Sequence, residues 1–367
     1  MANLCDYVNW RGDIPFNMRP FNAIDALLLC QLSYLNLTDI VPNRFTDSIT
    51  LKEAARNYTK DTSRGVPEEF GVFINPLSAD LLIRAAETER FGFILLKGFV
   101  NETDHTADKQ FSAITAVLPA GCTCVVYRGT DDTIVGWKED CLLCLPEPIP
   151  SHTAAVRYLA AAAEASEGSL FVAGHSKGGN LALYAAGMAD VLIQERINRI
   201  FCFDAPGFAF DAEQIGSFRA IIPKTVSFMP QSSVVGVLLC YLPSYTVIKS
   251  DETNAFWQHD AFSWQIQRDD FIQHEGGRSK ESYFAEQTLQ TWLSNMDDKG
   301  RREFIDTLFQ VISGTGAKTL SELTANGLAH SLHILKELHN VNHERRKELF
   351  TVIKSFFAAV YAHFPHV

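Results

Sequence analysis

Long apolar runs are missing from this chain. Its most apolar segments, Ala23 to Leu29 and Val234 to Leu242, fall well short of the roughly 18 consecutive apolar residues of a membrane-spanning helix. The opening MANLCDYVNWRGDIPF has no basic stretch followed by an apolar one, so no secretory signal is expected and a cytoplasmic location is. Positive charge is in deficit too: 32 Lys and Arg stand against 43 Asp and Glu, a net charge of −11. Without a basic field, neither nucleic acid nor an anionic membrane surface is an expected partner, while a neutral small molecule or lipid is not excluded. Internal repeats and low-complexity tracts are absent as well. What remains is an ordinary globular composition, 47% hydrophobic and 20% charged, long enough for one large domain with appendages.

The eight cysteines are scattered. Cys30, Cys124, Cys202 and Cys240 sit in apolar runs, as reduced core thiols do. Cys122 and Cys124 with Cys141 and Cys144 carry a hint of a zinc site. However, Cys122-Thr-Cys124 enters a strand-like run, and Cys141-Leu-Leu-Cys144 lacks the turn glycines of a zinc knuckle. His330, His333, His339 and His343 read as the polar face of a helix, with no acidic residue to complete a metal signature. No metal and no cofactor is therefore expected.

Three regions differ in pattern. Residues 1–90 read as helices packed on a core, with Phe21, Ile24, Leu27 and Leu28 at helical spacing behind a cap at Asn22, and further helices over Thr50 to Tyr58 and from Pro76. From residue 91 to 280, short apolar strands alternate with helices: Phe91 to Gly98, Phe111 to Leu118, TCVVY (123–127), LFVA (170–173), Ile200 to Phe203, Thr225 to Met229 and Tyr245 to Lys249. Such alternation predicts a mostly parallel sheet covered by helices on both faces. Residues 281–367 return to helices, with apolar stripes over Phe304 to Ile312 and Leu349 to Val360 that read as packing on the core, as a cap over a site or as an oligomer face.

The chemistry-bearing stretch is VAGHSKGGN, residues 172–180, which holds a G-x-S-x-G pentapeptide around Ser176. A serine nucleophile needs exposure and a neighbouring base. A sharp turn between strand LFVA and helix NLALYAAGM would expose Ser176, with small residues letting the two elements approach. The helix start also aims the Lys177 amide at any oxyanion formed there. The bland alternative is a structural serine in a glycine-rich turn.

Tyr127-Arg128-Gly129-Thr130 ends the strand before it. The pairing of this R-G-T strand end with G-H-S-x-G-G resembles the class 3 lipase branch of the α/β hydrolases, and Gly136-Trp137-Lys138-Glu139-Asp140 resembles that branch's segment after R-G-T. Together with DYVNWRGD (6–13), Gln31-Leu-Ser-Tyr34 and Gln258-His259-Asp260, the chain is similar over nearly its whole length to a bacterial lipase-like family, the Mbeg-like group. The resemblance implies an α/β-hydrolase-like fold with helical N- and C-terminal segments. It implies a second oxyanion donor at Thr130 or Asp131, a structural Asp140, and a His175 turned away from the active face.

Chain order in α/β hydrolases is serine, acid, histidine. His259 and His274 lie late enough to be the base, and His259 matches the lipase position better. The acid is harder to assign: where the lipase pattern has an aspartate, this chain has Ser232 or Ser233. Asp204, at a strand's C-terminal end, is the favoured carboxylate; Asp260, Asp251 and Asp211 are others, and a site with no carboxylate is the rival. Phe208, Phe210 and the segment Val234 to Leu242 are candidates for an acyl pocket or for plain core. The resulting expectation is a serine hydrolase of acyl or lipid-like esters, with Ser176 as nucleophile and His259 as base. The competing expectation is a decayed hydrolase fold used for binding, and the leaving group, whether alcohol, thiol or amine, stays open.

Overall fold

The computed structural model describes residues 1–61, 64, 74–119, 121–325, 338 and 341–363. The N-terminal region forms α1 (Leu4–Arg11), α2 (Ala23–Leu32), β1 (Ile49–Thr50), α3 (Leu51–Lys60) and α4 (Leu77–Ala86). Asn22 caps α2 as its sequence predicts. Its side-chain oxygen accepts the Ile24 and Asp25 amides, and Asp25 accepts the Asn22 amide in return, a reciprocal capping box. The same Asp25 is fully buried against Arg90 at 2.5 Å, and Arg90 also donates to the carbonyls of Ile14, Arg19 and Pro20. One ion pair thus ties the N-terminal helices to the chain just before β2 (Leu95–Asp104).

The sheet has eight strands in sequence order: β1, β2 (Leu95–Asp104), β3 (Lys109–Val117), β4 (Thr123–Tyr127), β5 (Leu170–His175), β6 (Ile197–Phe203), β7 (Thr225–Pro230) and β8 (Thr246–Ile248). From β4 to β8 the neighbours are parallel. From β1 to β4 they are antiparallel, which corrects a reading of strands alternating from Phe91. Phe91 to Ile94 is a turn, and β2 starts at Leu95 and runs on through polar Asn101 to Asp104. That arm projects beyond the core and pairs only with β3, so no burial pattern marks it in the sequence.

Side chains alternate between the two faces. Val125, Tyr127, Val172 and Ile200 join one core with α5 (Ile134–Leu142), α6 (Pro150–Glu164) and α7 (Lys177–Met188). Val126, Phe171, Ala173, Phe201 and Phe203 join the other with α1 to α4. The cause is topological. Strands β4 to β6 advance in one direction across the sheet, so right-handed crossovers put their helices on the same face. The opposite apolar face is left for the N-terminal helices, and Ala23–Leu32 is buried over nearly its whole length there.

After α8 (Val191–Arg196) and a small hairpin of β9 (Ile266–Gln267) and β10 (Asp270–Phe271), the chain ends in α9 (Lys280–Ser294), α10 (Asp298–Ser313), α11 (Leu320–Ala325) and α12 (His343–His363). Ile305 and Phe309 of α10 join the α6–α7 core. The Ile134 amide donates to the Lys318 carbonyl and the Leu320 amide to that of Asp132, which fixes this region to the loop after β4. All eight cysteines are free. Cys30, Cys124 and Cys202 are buried as expected, but Cys240 is exposed in the loop before β8. His330, His333 and His339 lie outside the described residues. Among the described residues no group of His, Cys, Asp and Glu is arranged to hold a metal ion, and no helix is long and apolar enough to cross a membrane.

Candidate active site

Ser176 stands between β5 and α7 with φ 59° and ψ −134°, a left-handed conformation that costs a non-glycine residue of order 1–3 kcal/mol. The turn is held by the Ser176 amide on the Phe203 carbonyl and the Gly179 amide on the Ser176 carbonyl, both at 2.9 Å. A Cβ on Gly174 would overlap the Gly178 backbone, and one on Gly178 would overlap the Tyr127 carbonyl. Strand and helix therefore cross as closely as an exposed elbow requires.

The neighbouring strand end holds a second strained residue. Asp204 follows β6 with φ 43°, and its amide donates to the Phe228 carbonyl on β7 at 2.7 Å. Its carboxylate is buried and meets His259: Nδ1 lies 2.7 Å from Oδ2. A carboxylate accepts, so Nδ1 carries the proton and Nε2 is the basic nitrogen. The other oxygen, Oδ1, accepts from the Ser233 hydroxyl at 2.5 Å and the Gly236 amide at 3.1 Å. Ser233 therefore does not replace the acid beside the imidazole; it hydrogen-bonds the acid itself. Ser232 is engaged elsewhere, its amide on Gln258 Oε1 and its hydroxyl on Ser279.

His259 is held from both sides in its own tripeptide. Gln258 binds the Ser232 amide and the Glu252 carbonyl, and Asp260 binds Asn75 at 2.6 Å and the Phe262 amide. Asp260, Asp251 and Asp211 are thereby accounted for: Asp251 pairs with the N-terminus and Gln265, and Asp211 caps a short 3₁₀ turn. His274 bonds Val247 and Gly277 and takes no part in the cavity at Ser176.

His175 does not turn away from this machinery. It follows the strand alternation onto the face that α2 covers, and the His259 loop crosses that face as well. The two imidazoles stack at 4.6 Å. His175 Nε2 lies 2.9 Å from the His259 carbonyl and Nδ1 lies 3.0 Å from the Tyr34 hydroxyl. The carbonyl must accept, so Nε2 bears the proton and Tyr34 donates to Nδ1. Burial, reinforced by His259, lowers the His175 pKa well below its ordinary value, and it stays neutral. The Tyr34 hydroxyl also lies against Gly129 of the R-G-T turn. A Cβ on Gly129 would collide with that hydroxyl. Tyr34 thus joins the turn after β4, the elbow and, through His175, the histidine loop. The Q-L-S-Y segment was visible in the sequence, but its task was not.

The side chain of Lys177 was equally unforeseen. It is buried, with Nζ 2.9 Å from Glu139 Oε2, the Gln110 carbonyl and Gln110 Oε1, and 3.7 Å from Asp140. Asp140 accepts the Thr130 hydroxyl at 2.7 Å. Burial pushes the Asp140 pKa up to about 6, against the pull of Lys177 and Thr130. Of the two residues considered beside the oxyanion, Thr130 lines the cavity with Ser176 and Lys177. Asp131 instead directs its carboxylate at Arg128 and Thr133; burial works against its ionisation, but these partners win and hold its pKa low.

Ser176, Lys177, His175 and His259 share one cavity of about 540 Å³. Much of its lining is apolar. Val235, Leu238 and Leu239 contribute from the 234–242 segment, and α9 and α10 contribute Trp292, Leu293 and Phe304 among others. The C-terminal helices therefore both pack on the core and wall the cavity. Phe208 and Phe210 stack on each other and on Phe218 in the α7 core and are not part of the cavity wall.

With this geometry in hand, the family assignment follows from the sequence match across the sheet. The Mbeg1-like family model matches residues 85–310. The chain belongs to the Mbeg1-like family. The match spans Ser176, Asp204 and His259 and ends inside α10. Two solved structures are similar to it. One is M37 lipase, at 15% identity and TM-score 0.38, covering 59% of this chain and 70% of that one. The other is the native Rhizomucor miehei lipase propeptide complex, at 15% identity and TM-score 0.30, covering 42% and 58%. No curated protein matches the chain.

Proposed function

We propose that this Mbeg1-like protein is a serine hydrolase that cleaves carboxylic acyl esters. The observation that carries the reading is the Asp204–His259 hydrogen bond, made at the end of the strand next to the one that presents Ser176. In this reading His259 Nε2 takes the Ser176 proton as Oγ adds to the ester carbonyl, and Asp204 stabilises the imidazolium. The Lys177 amide, first in α7 and so outside its hydrogen-bond ladder, and the Thr130 amide stabilise the oxyanion. His259 returns the proton to the leaving alcohol, and water repeats the sequence on the acyl-enzyme. The apolar cavity suits an acyl or lipid-like chain. Residues 1–90 and 281–367 act as parts of this one site, because both ends supply cavity residues.

The rival reading, a decayed site kept for binding, rests on serine at the usual acid position and on the long helical ends. The Ser233 hydroxyl is bonded to a carboxylate that faces the base, which weighs against the first of these grounds. A fluorophosphonate probe tests the proposal on the full chain by intact mass. One adduct on the wild type and none on Ser176→Ala is expected; well-folded wild type that takes up no probe would overturn it.

A further inference from the structure

Cys141-Leu-Leu-Cys144 is a motif that the chemistry at Ser176 leaves unused. It lies where α5 runs out. Successive amides there bond three residues back: Leu143 to the Asp140 carbonyl at 3.1 Å, Cys144 to that of Cys141 at 3.4 Å and Leu145 to that of Leu142 at 3.0 Å. The helix has tightened into a 3₁₀-type turn, in which residues three apart eclipse one another. At a rise of about 2.0 Å per residue the Cα atoms of Cys141 and Cys144 stack about 6 Å apart, inside the range of about 4.4–6.8 Å that a disulfide spans. The bond across the two cysteines is the longest of the series, so the turn has room to close.

Both thiols are free and half-buried, and both line the cavity that holds Ser176. Among the described residues no third ligand is arranged with them for a metal ion, and Asp140 beside them is engaged with Thr130. Their surroundings differ. Burial, reinforced by Asp140 and Cys144, pushes the Cys141 thiol up to about 12. Burial raises the Cys144 thiol too, but the Arg301 guanidinium opposes it, and Arg301 is held there by its bond to the Cys144 carbonyl at 3.1 Å. Cys144 is therefore the readier thiolate.

We infer that Cys141 and Cys144 form a vicinal dithiol on the cavity wall that an alkyl hydroperoxide oxidises reversibly to a disulfide, and that its oxidation state is felt at Ser176. The Cys144 thiolate takes the terminal peroxide oxygen, the O–O bond breaks, and the alkoxide leaves as the alcohol with the proton the thiol gave up. Cys141 Sγ then displaces the hydroxyl of the Cys144 sulfenic acid: the S–S bond forms, the S–O bond breaks, and water leaves with the Cys141 proton. Two thiols are oxidised, and one peroxide is reduced to alcohol and water. The bridge closes a turn directly after Asp140, whose carboxylate accepts the hydroxyl of the cavity residue Thr130. Tightening it disturbs the loop beside the serine.

The test uses the full chain with Cys240→Ser, which removes an exposed thiol away from the cavity. Folded protein is treated with tert-butyl hydroperoxide, denatured in N-ethylmaleimide and digested with trypsin. Both cysteines fall in one peptide, 139–157. That peptide is expected two hydrogens lighter and unalkylated, and dithiothreitol before alkylation returns both maleimide adducts. In Cys141→Ser the reaction stops at a sulfenic acid that dimedone traps on Cys144, while in Cys144→Ser the remaining thiol stays reduced. Phenylarsine oxide probes the same proximity without oxidation: its arsenic takes both sulfurs of peptide 139–157 with loss of water, and neither single variant holds it. Fluorophosphonate labelling of Ser176 slows by about tenfold or more in the bridged protein, and dithiothreitol restores it. A peptide that keeps both thiols after peroxide, or a wild type that binds no arsenical there, would overturn the dithiol site. A bridge that leaves the labelling rate unchanged would overturn the coupling to Ser176. A chain that bridges but takes up no fluorophosphonate in either state would sink the hydrolase reading, and the coupling with it, and keep the dithiol, which is read by mass alone.

Discussion

Asp204 and Asp140 lie on opposite sides of the elbow, in opposite electrostatic company. Asp204 faces an imidazole, with a hydroxyl and a backbone amide on its other oxygen. Asp140 faces a lysine that already belongs to Glu139 and accepts a threonine hydroxyl from the turn after β4. In the proposed reaction, the first arrangement would stabilise positive charge appearing on His259. The second holds a loop in place. Under the proposed function, the two carboxylates beside one serine divide into an acid that answers the base and an acid that fixes the turn after β4, and the partner decides which is which.

The sharpest way to break this division is to remove the base. His259→Ala leaves Asp204 with nothing to orient, and ester turnover should fall by about 10⁴-fold or more, alongside a stability loss of about 1–3 kcal/mol from the unpaired buried oxygen of Asp204. Lys177→Met attacks the other side. It strands Glu139 and Asp140 as buried carboxylates, so the cost is in folding, about 3–5 kcal/mol in urea unfolding, as for other broken buried pairs. If Lys177→Met is as stable as wild type, the lysine is not what holds the loop. Ser233→Ala removes one hydrogen bond to a charged group and should lower kcat about tenfold. Ser233→Asp should be worse, because a second carboxylate against Asp204 favours sharing one proton over two charges; a gain in turnover would mean that the acid belongs at position 233 after all.

The smallest effect concerns pH. The folded pKa of Asp140, about 6, lies above its ordinary 3.8, so folding favours its protonated form. The stability this contributes is full below about pH 4 and is lost as pH rises through about 6. Asp140→Asn removes that slope. The variant's melting temperature relative to wild type should therefore be higher at pH 7 than at pH 4.5, and a difference constant across that range would contradict it.

Much of this was legible beforehand where local chemistry dictates structure. The elbow announced itself through glycines that only close packing requires, Asn22 as a cap ahead of an apolar helical stripe, and α10 and α12 through their stripes. The acid was only weakly legible. Asp204 meets His259 across 55 residues, through a left-handed backbone that no periodicity encodes, while Ser233 stood where an aspartate was expected. The His175 error has a related cause. Its side chain follows the strand alternation onto the face that α2 covers, but the base arrives on that face too, and a loop's path is not written in the strand. The C-terminal stripes were ambiguous for another reason, since the wall of an apolar cavity and the contact face of a packed core share one period.

The central claim, that Asp204 is the acid serving His259 while Asp140 is structural, is tested most directly by comparing kcat/KM of Asp204→Asn and Asp140→Asn with wild type on one short acyl ester. Both substitutions keep the shape and remove the charge. The account predicts a loss of about 10⁴-fold for Asp204→Asn, as expected when a base loses its orienting carboxylate, and a loss within about tenfold for Asp140→Asn, whose amide oxygen still accepts from Thr130. Near-wild-type turnover in Asp204→Asn, or the larger loss in Asp140→Asn, would contradict it.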